Sequence, residues 1–204
     1  SSGTVAATLI ATVPIMLAGL GGLWSERAGI VNIGLEGMMI LGTYGAGYFG
    51  YHYGPWMGVA GAILMGVLGG LIHALATVVF GVDHIISGVA INIIALGAVQ
   101  YLASLTFVGL PGGGQTQSPK IEDVQTITIG PLRDALDKVE DKDIFFVSEL
   151  AGVFEAFVSN LSLLVVLAVA LLVLTWWLLW RTPFGLRLRA CGESPVAAES
   201  LGVK

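Results

Sequence analysis

The chain has 204 residues, of which 55% are hydrophobic and only 11% charged, with a formal net charge of −5. Soluble domains carry roughly 25% charged residues, so the surface needed to face water is missing. This excludes a disordered chain, a nucleic-acid binder and a cytosolic enzyme, and leaves a polytopic membrane protein held by packing, since Cys191 has no partner for an internal disulfide.

A helix crosses the hydrocarbon core with about 20 mostly apolar residues. Five segments qualify: 5–24, 28–51, 57–80, 85–108 and 161–180. The first contains Pro14, which a membrane helix tolerates as a kink. The second is interrupted by Asn32 and Glu36, the third and fourth carry no formal charge, and the fifth closes on Trp176, Trp177 and Trp180. The opening Ser1-Ser2-Gly3 does not read as a signal peptide, and the chain reads as a fragment or as one with a trimmed start.

Residues 109–157 form the one long polar stretch, with four basic and nine acidic side chains, so the remainder of the chain is neutral overall. Arg181, Arg187, Arg189 and Lys204 follow the last span against Glu193 and Glu199. An excess of Lys and Arg beside a membrane helix marks the cytoplasmic side, which places the tail inside and the acidic stretch outside. The turn at Asp83-His84 then lies inside, and Tyr48, Tyr51, Tyr53 and Trp56 form an outer aromatic belt. Within the acidic stretch, residues 124–129 alternate as a short strand, and Leu132, Ala135, Leu136 and Val139 follow helical spacing. A small cap over a pore mouth and a solvated linker fit this pattern equally well. The organisation expected is therefore residues 1–108 as four membrane spans, 109–157 as an acidic extracytoplasmic loop, 158–180 as a fifth span and 181–204 as a cytoplasmic segment.

Helices in lipid associate through small residues that let backbones approach. Gly58, Ala62, Gly66 and Gly70 supply such a row for helix packing in the third span. His52, His73 and His84 are too scattered for a metal site. There is no HExxH, no GxSxG elbow and no GxxxxGK[ST] phosphate loop, so neither catalytic residues nor a metal or ATP site is expected on this chain.

Three stretches carry the information. Residues 25–39, SERAGIVNIGLEGMM, break an otherwise apolar helix with three glycines, Asn32 and Glu36. A carboxylate at membrane depth is costly and functional by default, and transporters place broken helices where freed backbone groups meet substrate. Asn32 and Glu36, four apart, are expected to share a helical face. Residues 85–92, IISGVAIN, place Ser87, Gly88 and Asn92 on one side, with Gln100 two turns further; such amides either bind ligand or join helices. Residues 181–202, RTPFGLRLRACGESPVAAESLG, begin basic, reach Gly192 as a breaker and restart at Pro195 in a short helix. That helix suits docking of a soluble partner, or lies at the lipid surface among anionic headgroups.

In this order and spacing, GLWSERAGIVNIGLEGMM, ISGVAIN and RTPFGLRLRACGESPVAAESLG resemble the permease subunits of bacterial ABC importers. The branch is the one for branched-chain amino acids, simple sugars and nucleosides, with the nucleoside permeases most alike. The resemblance implies an all-α integral membrane protein: a polytopic helical bundle with a broken helix near the N-terminus and a cytoplasmic coupling helix. It implies a pore built with a second permease subunit, identical or homologous, in the bacterial inner membrane. Separate ABC ATPase subunits would use the ATP, and an extracytoplasmic substrate-binding protein would deliver solute. The pathway residues implied are Asn32, Glu36 and Asn92; the coupling residues are Arg187, Arg189, Glu193, Pro195, Ala197, Ala198 and Gly202. Cys191 and Ser194 depart from the family pattern without touching these assignments. Sugar or branched-chain amino acid transport, and an ATP-independent channel or membrane scaffold, are the competing readings.

Overall fold

The computed structural model describes residues 2–127 and 161–203. They form helices α1 (Ser2–Arg27), α2 (Leu35–Tyr53), α3 (Pro55–Ala74), α4 (His84–Thr106), α5 (Leu163–Arg181), α6 (Pro183–Glu193) and α7 (Pro195–Ser200). The two-residue strands β1 (Thr126–Ile127) and β2 (Leu161–Ser162) accompany them. Among the described residues three helices are long and apolar enough to cross a membrane: Pro55–Val79, His84–Thr106 and Leu163–Arg181. The protein is thus an all-α integral membrane protein. The second expected span is shorter than anticipated, because residues 28–34 are not helical and α2, rich in glycine and tyrosine, starts only at Leu35.

The chain divides into two compact units. One holds Ser1–Leu20 and Val124–Leu178. There Thr8 and Thr12 donate their hydroxyls to the carbonyls of Thr4 and Thr8, at 2.8 and 2.7 Å, so polar side chains are satisfied within the helix. β1 and β2 pair antiparallel, Thr126 opposite Ser162 and Ile127 opposite Leu161. The expected strand at 124–129 is therefore present over Thr126–Ile127, whereas the helical pattern at Leu132, Ala135, Leu136 and Val139 lies outside the described residues.

The other unit holds Gly21–Asp123 and Leu179–Lys204. Its centre is the hairpin of α2 and α3, joined by Gly54 alone at φ +92°, a value glycine adopts without strain, with Pro55 opening α3. The two helices touch backbone to backbone. A Cβ on Gly45 would strike the Gly61 carbonyl, one on Gly61 would come within 2.6 Å of the Gly45 carbonyl oxygen, and one on Gly58 within 3.0 Å of that of Ala46.

The α3 contact face differs from a row spaced by fours. Gly58, Gly61, Gly69 and His73 are buried. The Ala62 carbonyl lies 3.4 Å from where a Gly42 Cβ would be, Gly66 only reaches the edge at 3.9 Å, and Gly70 faces open space. With 3.6 residues per turn, each step of four rotates the row by about 40° away from a straight neighbour. Mixed steps of three and four keep Gly61 and Gly69 in the seam instead.

Beyond Ala74, α3 widens into a π-turn over Leu75–Val79 and ends at Gly81, φ +66°. His73 is 3% exposed and its Nδ1 lies 3.0 Å from the Ser87 hydroxyl of α4, which ties the third and fourth helices together.

Candidate functional site

The break between α1 and α2 is built from its residue types. The Ile30 amide donates to the Ser25 carbonyl at 2.9 Å and the Gly29 amide to that of Glu26 at 3.0 Å, with Gly29 at φ +86°. This is the bond pair that closes a helix on a left-handed glycine. Asn32 then turns the chain, its Oδ1 accepting from the Gly34 amide at 3.0 Å while its Nδ2 reaches Met38 Sδ at 3.6 Å. Asn32 lies before the first residue of α2, so it does not share a helical face with Glu36. Glu36 is exposed in the first turn of α2, at the positive end of the helix dipole.

Three residues of α4 one turn apart hold this break. His84 Nδ1 accepts from the Val31 amide at 3.3 Å. Gly88 lets the backbones cross, since its Cβ would lie 2.8 Å from the Gly34 amide nitrogen. Asn92 accepts from the Gly37 amide at 2.7 Å and donates to the Ile33 carbonyl at 3.1 Å. Early helical amides need an outside acceptor, and the Gly34 N-cap has no side chain to supply one. Asn92 caps α2 from a neighbouring helix. Of the two roles open to this amide, joining elements is the one seen here. Asn92→Leu should cost about 1–3 kcal/mol by orphaning two backbone groups. The check is the thermal midpoint in detergent, where an unchanged value would refute the capping role.

The tail is punctuated in the same way. Thr182 caps α6 by accepting from the Gly185 amide at 3.2 Å, and Ser194 caps α7 by accepting from the Ala197 amide at 3.4 Å; a proline opens each helix. α7 closes as α1 does, with Gly202 at φ +84°, its amide bonded to the Glu199 carbonyl and the Val203 amide to that of Ala198. Gly192 does not break α6, which runs on to Glu193. Its role is close approach: a Cβ there would strike the Arg27 carbonyl and lie 2.9 Å from the Gly29 amide nitrogen. The end of α6 thus rests directly on the end of α1.

The guanidinium groups of Arg27 and Arg189 each lie 5.8 Å from the Trp180 ring centroid, within cation–π range, and Trp24 meets Phe184 at 6.2 Å. A cleft of about 300 Å³ beside them is lined by Glu26, Arg27, Arg189, Gly192 and Glu193. Arg187, Glu193, Pro195 and Ala197 are exposed, whereas Ala198 is buried within the chain at 3%. The apolar side chains that α7 and its end present outward are Val196, 79% exposed, and Leu201, 84% exposed. Neither stood out in the sequence, where nearly every residue from Ala190 to Val203 is apolar or small.

A second cavity, of about 420 Å³, lies between the first half of α2, the C-terminal half of α4 and the segment 115–118. Tyr44, Gln100 and Phe107 line it. Among the described residues no group of three or more His, Cys, Asp or Glu could hold a metal ion.

Comparison with known proteins places these features in a family. The branched-chain amino acid transport system permease component family matches residues 4–204. The guanosine ABC transporter permease protein NupQ of Bacillus subtilis is 38% identical over 98% of this chain and 58% of its own length. The nucleoside ABC transporter permease protein NupC of Lactococcus lactis is 32% identical over 98% and 58%. A putative glucose ABC transporter permease protein of Haloferax volcanii is 29% identical over 100% and 55%. The chain therefore spans little more than half the length of these relatives. No solved structure matches it. With nearly every residue matched and the three motif stretches inside that match, the chain belongs to the family of branched-chain amino acid transport system permease components.

Proposed function

We propose that this chain belongs to the transmembrane permease subunit of an ABC importer, that the solute is a nucleoside, and that separate ATPase subunits dock on its tail. The observation that carries the reading is the contact of Gly192 with Arg27 and Gly29, which links the docking segment to the broken helix. ATP closes the paired ATPase subunits, α7 moves with them, and α6 transmits the displacement to the end of α1. Because the break at 28–34 is held to α4 by His84, Gly88 and Asn92, the same displacement reaches the pathway wall. The chain performs no bond chemistry itself. A second permease subunit completes the pore in the bacterial inner membrane, and an extracytoplasmic binding protein delivers the solute.

The nucleoside assignment follows the names of the two relatives above 30% identity. A sugar is the second reading, favoured by the glucose permease relative at 29%. The test is uptake by the assembled, reconstituted transporter with labelled nucleoside, sugar and branched-chain amino acid. Nucleoside uptake should require ATP; uptake that proceeds without nucleotide would replace the importer by a passive channel. Val196→Asp with Leu201→Asp should abolish binding of the ATPase subunits, because two charges would enter an apolar contact. Undiminished co-purification of those subunits would remove α7 as the docking site.

A further inference from the structure

We infer that the cavity between α2, α4 and segment 115–118 is a binding site for an uncharged nucleobase. This rests on the permease reading and specifies where its solute is recognised. The cavity volume of about 420 Å³ falls in the range of small-molecule sites, roughly 300–1,000 Å³. One wall is aromatic: the rings of Tyr44 and Phe107 lie 5.7 Å apart at 41°. Phe107 is only 2% exposed and so is fixed by its surroundings.

Amides share the lining with these rings. Gln100 projects from α4, and Gln115 and Gln117 come from the segment beyond it. The Gln100 side chain is exposed and forms no hydrogen bond with any described residue, in a helix whose length and composition suit the bilayer. Unlike Asn92, it is not occupied in joining helices. A carboxamide offers a donor and an acceptor side by side, which matches the edge of a base, and a base stacks on an aromatic ring.

What the lining lacks narrows the ligand further. No charged side chain lines the cavity among the described residues. A zwitterionic amino acid or a nucleotide phosphate would enter without a counter-charge, whereas a neutral nucleoside needs none. The segment is also held in place. A Cβ on Gly47 would lie 2.9 Å from Ser118 Cβ, one on Gly50 2.9 Å from Ile121 Cδ1, and Pro119 is fully buried. The glycines of α2 thus seat the chain that closes the cavity.

The test uses the assembled transporter in lipid nanodiscs with radiolabelled guanosine. Equilibrium binding without ATP reads the cavity, and ATP-dependent uptake reads the permease function separately. Tyr44→Leu and Gln100→Leu should each weaken binding about tenfold or more, whereas Tyr44→Phe, which keeps the ring, should stay within a few-fold of the parent. Unlabelled adenine or guanine should displace the label, and ribose or leucine should not. Parental binding in both leucine variants, displacement by ribose as strong as by guanosine, or no binding to the parent would overturn the site. Variant-sensitive binding combined with nucleotide-independent uptake would uphold the site and overturn the importer reading instead.

Discussion

A Gly192→Val transporter is expected to hydrolyse ATP at close to the parental rate while its uptake falls at least tenfold. The added atoms have nowhere to go. A Cβ at residue 192 meets the Arg27 carbonyl and the Gly29 amide nitrogen, both backbone atoms at the closed end of α1, rather than a side chain that could rotate away. α6 must therefore lift from α1. Val196 and Leu201, the docking surface proposed above, are several residues further along and keep their own cap at Ser194, so on that proposal the ATPase subunits should still bind and hydrolyse ATP. Only transmission is lost. A series through Ala and Val to Leu should lower the ratio of solute carried to ATP hydrolysed step by step. If Gly192→Val retained the parental ratio, the contact would be packing without mechanical consequence.

The second large effect concerns assembly of the fold. Gly45→Val should reduce the yield of monodisperse protein sharply, because the α2–α3 seam has no slack. A Cβ there strikes the Gly61 carbonyl and approaches its carbonyl carbon to 2.7 Å and Met65 Cγ to 2.8 Å. Overfilling a packed interior costs about 1–3 kcal/mol, and the cost lies at the upper end where the obstacle is backbone. In lipid there is no hydrophobic drive to press the helices back together. Gly70→Ala is the matched control: nothing stands within 4 Å of its added carbon, and alanine improves helix propensity by about 1 kcal/mol. The comparison is made on the thermal midpoint after detergent extraction. Equal midpoints for Gly45→Val and the parent would show that the seam yields.

Much of the site was legible because it is written in local punctuation. Pro195 and Gly202 act on their own backbone, so the start and end of α7 can be read without knowing any neighbour. The roles of residues that act across the fold could not be read this way. Asn92 looked as suited to a ligand as to a helix contact until Gly37 and Ile33 were found at its amide. Gly192 looked like a breaker because its neighbour Arg27 is far away in sequence. The resemblance implies a coupling role for Ala198 with the rest of its motif, yet its side chain is buried within the chain, and the outward positions are Val196 and Leu201.

From composition and charge came a polytopic membrane protein, and from three motifs came its family and its helical architecture, since hydropathy and short-range turn chemistry are properties of consecutive residues. Tertiary structure alone decided that α6 seats on the end of α1, that α4 caps α2, and that Tyr44, Gln100 and Phe107 share one cavity. Those are distances between residues far apart in the chain, set by where glycine allows two backbones to meet.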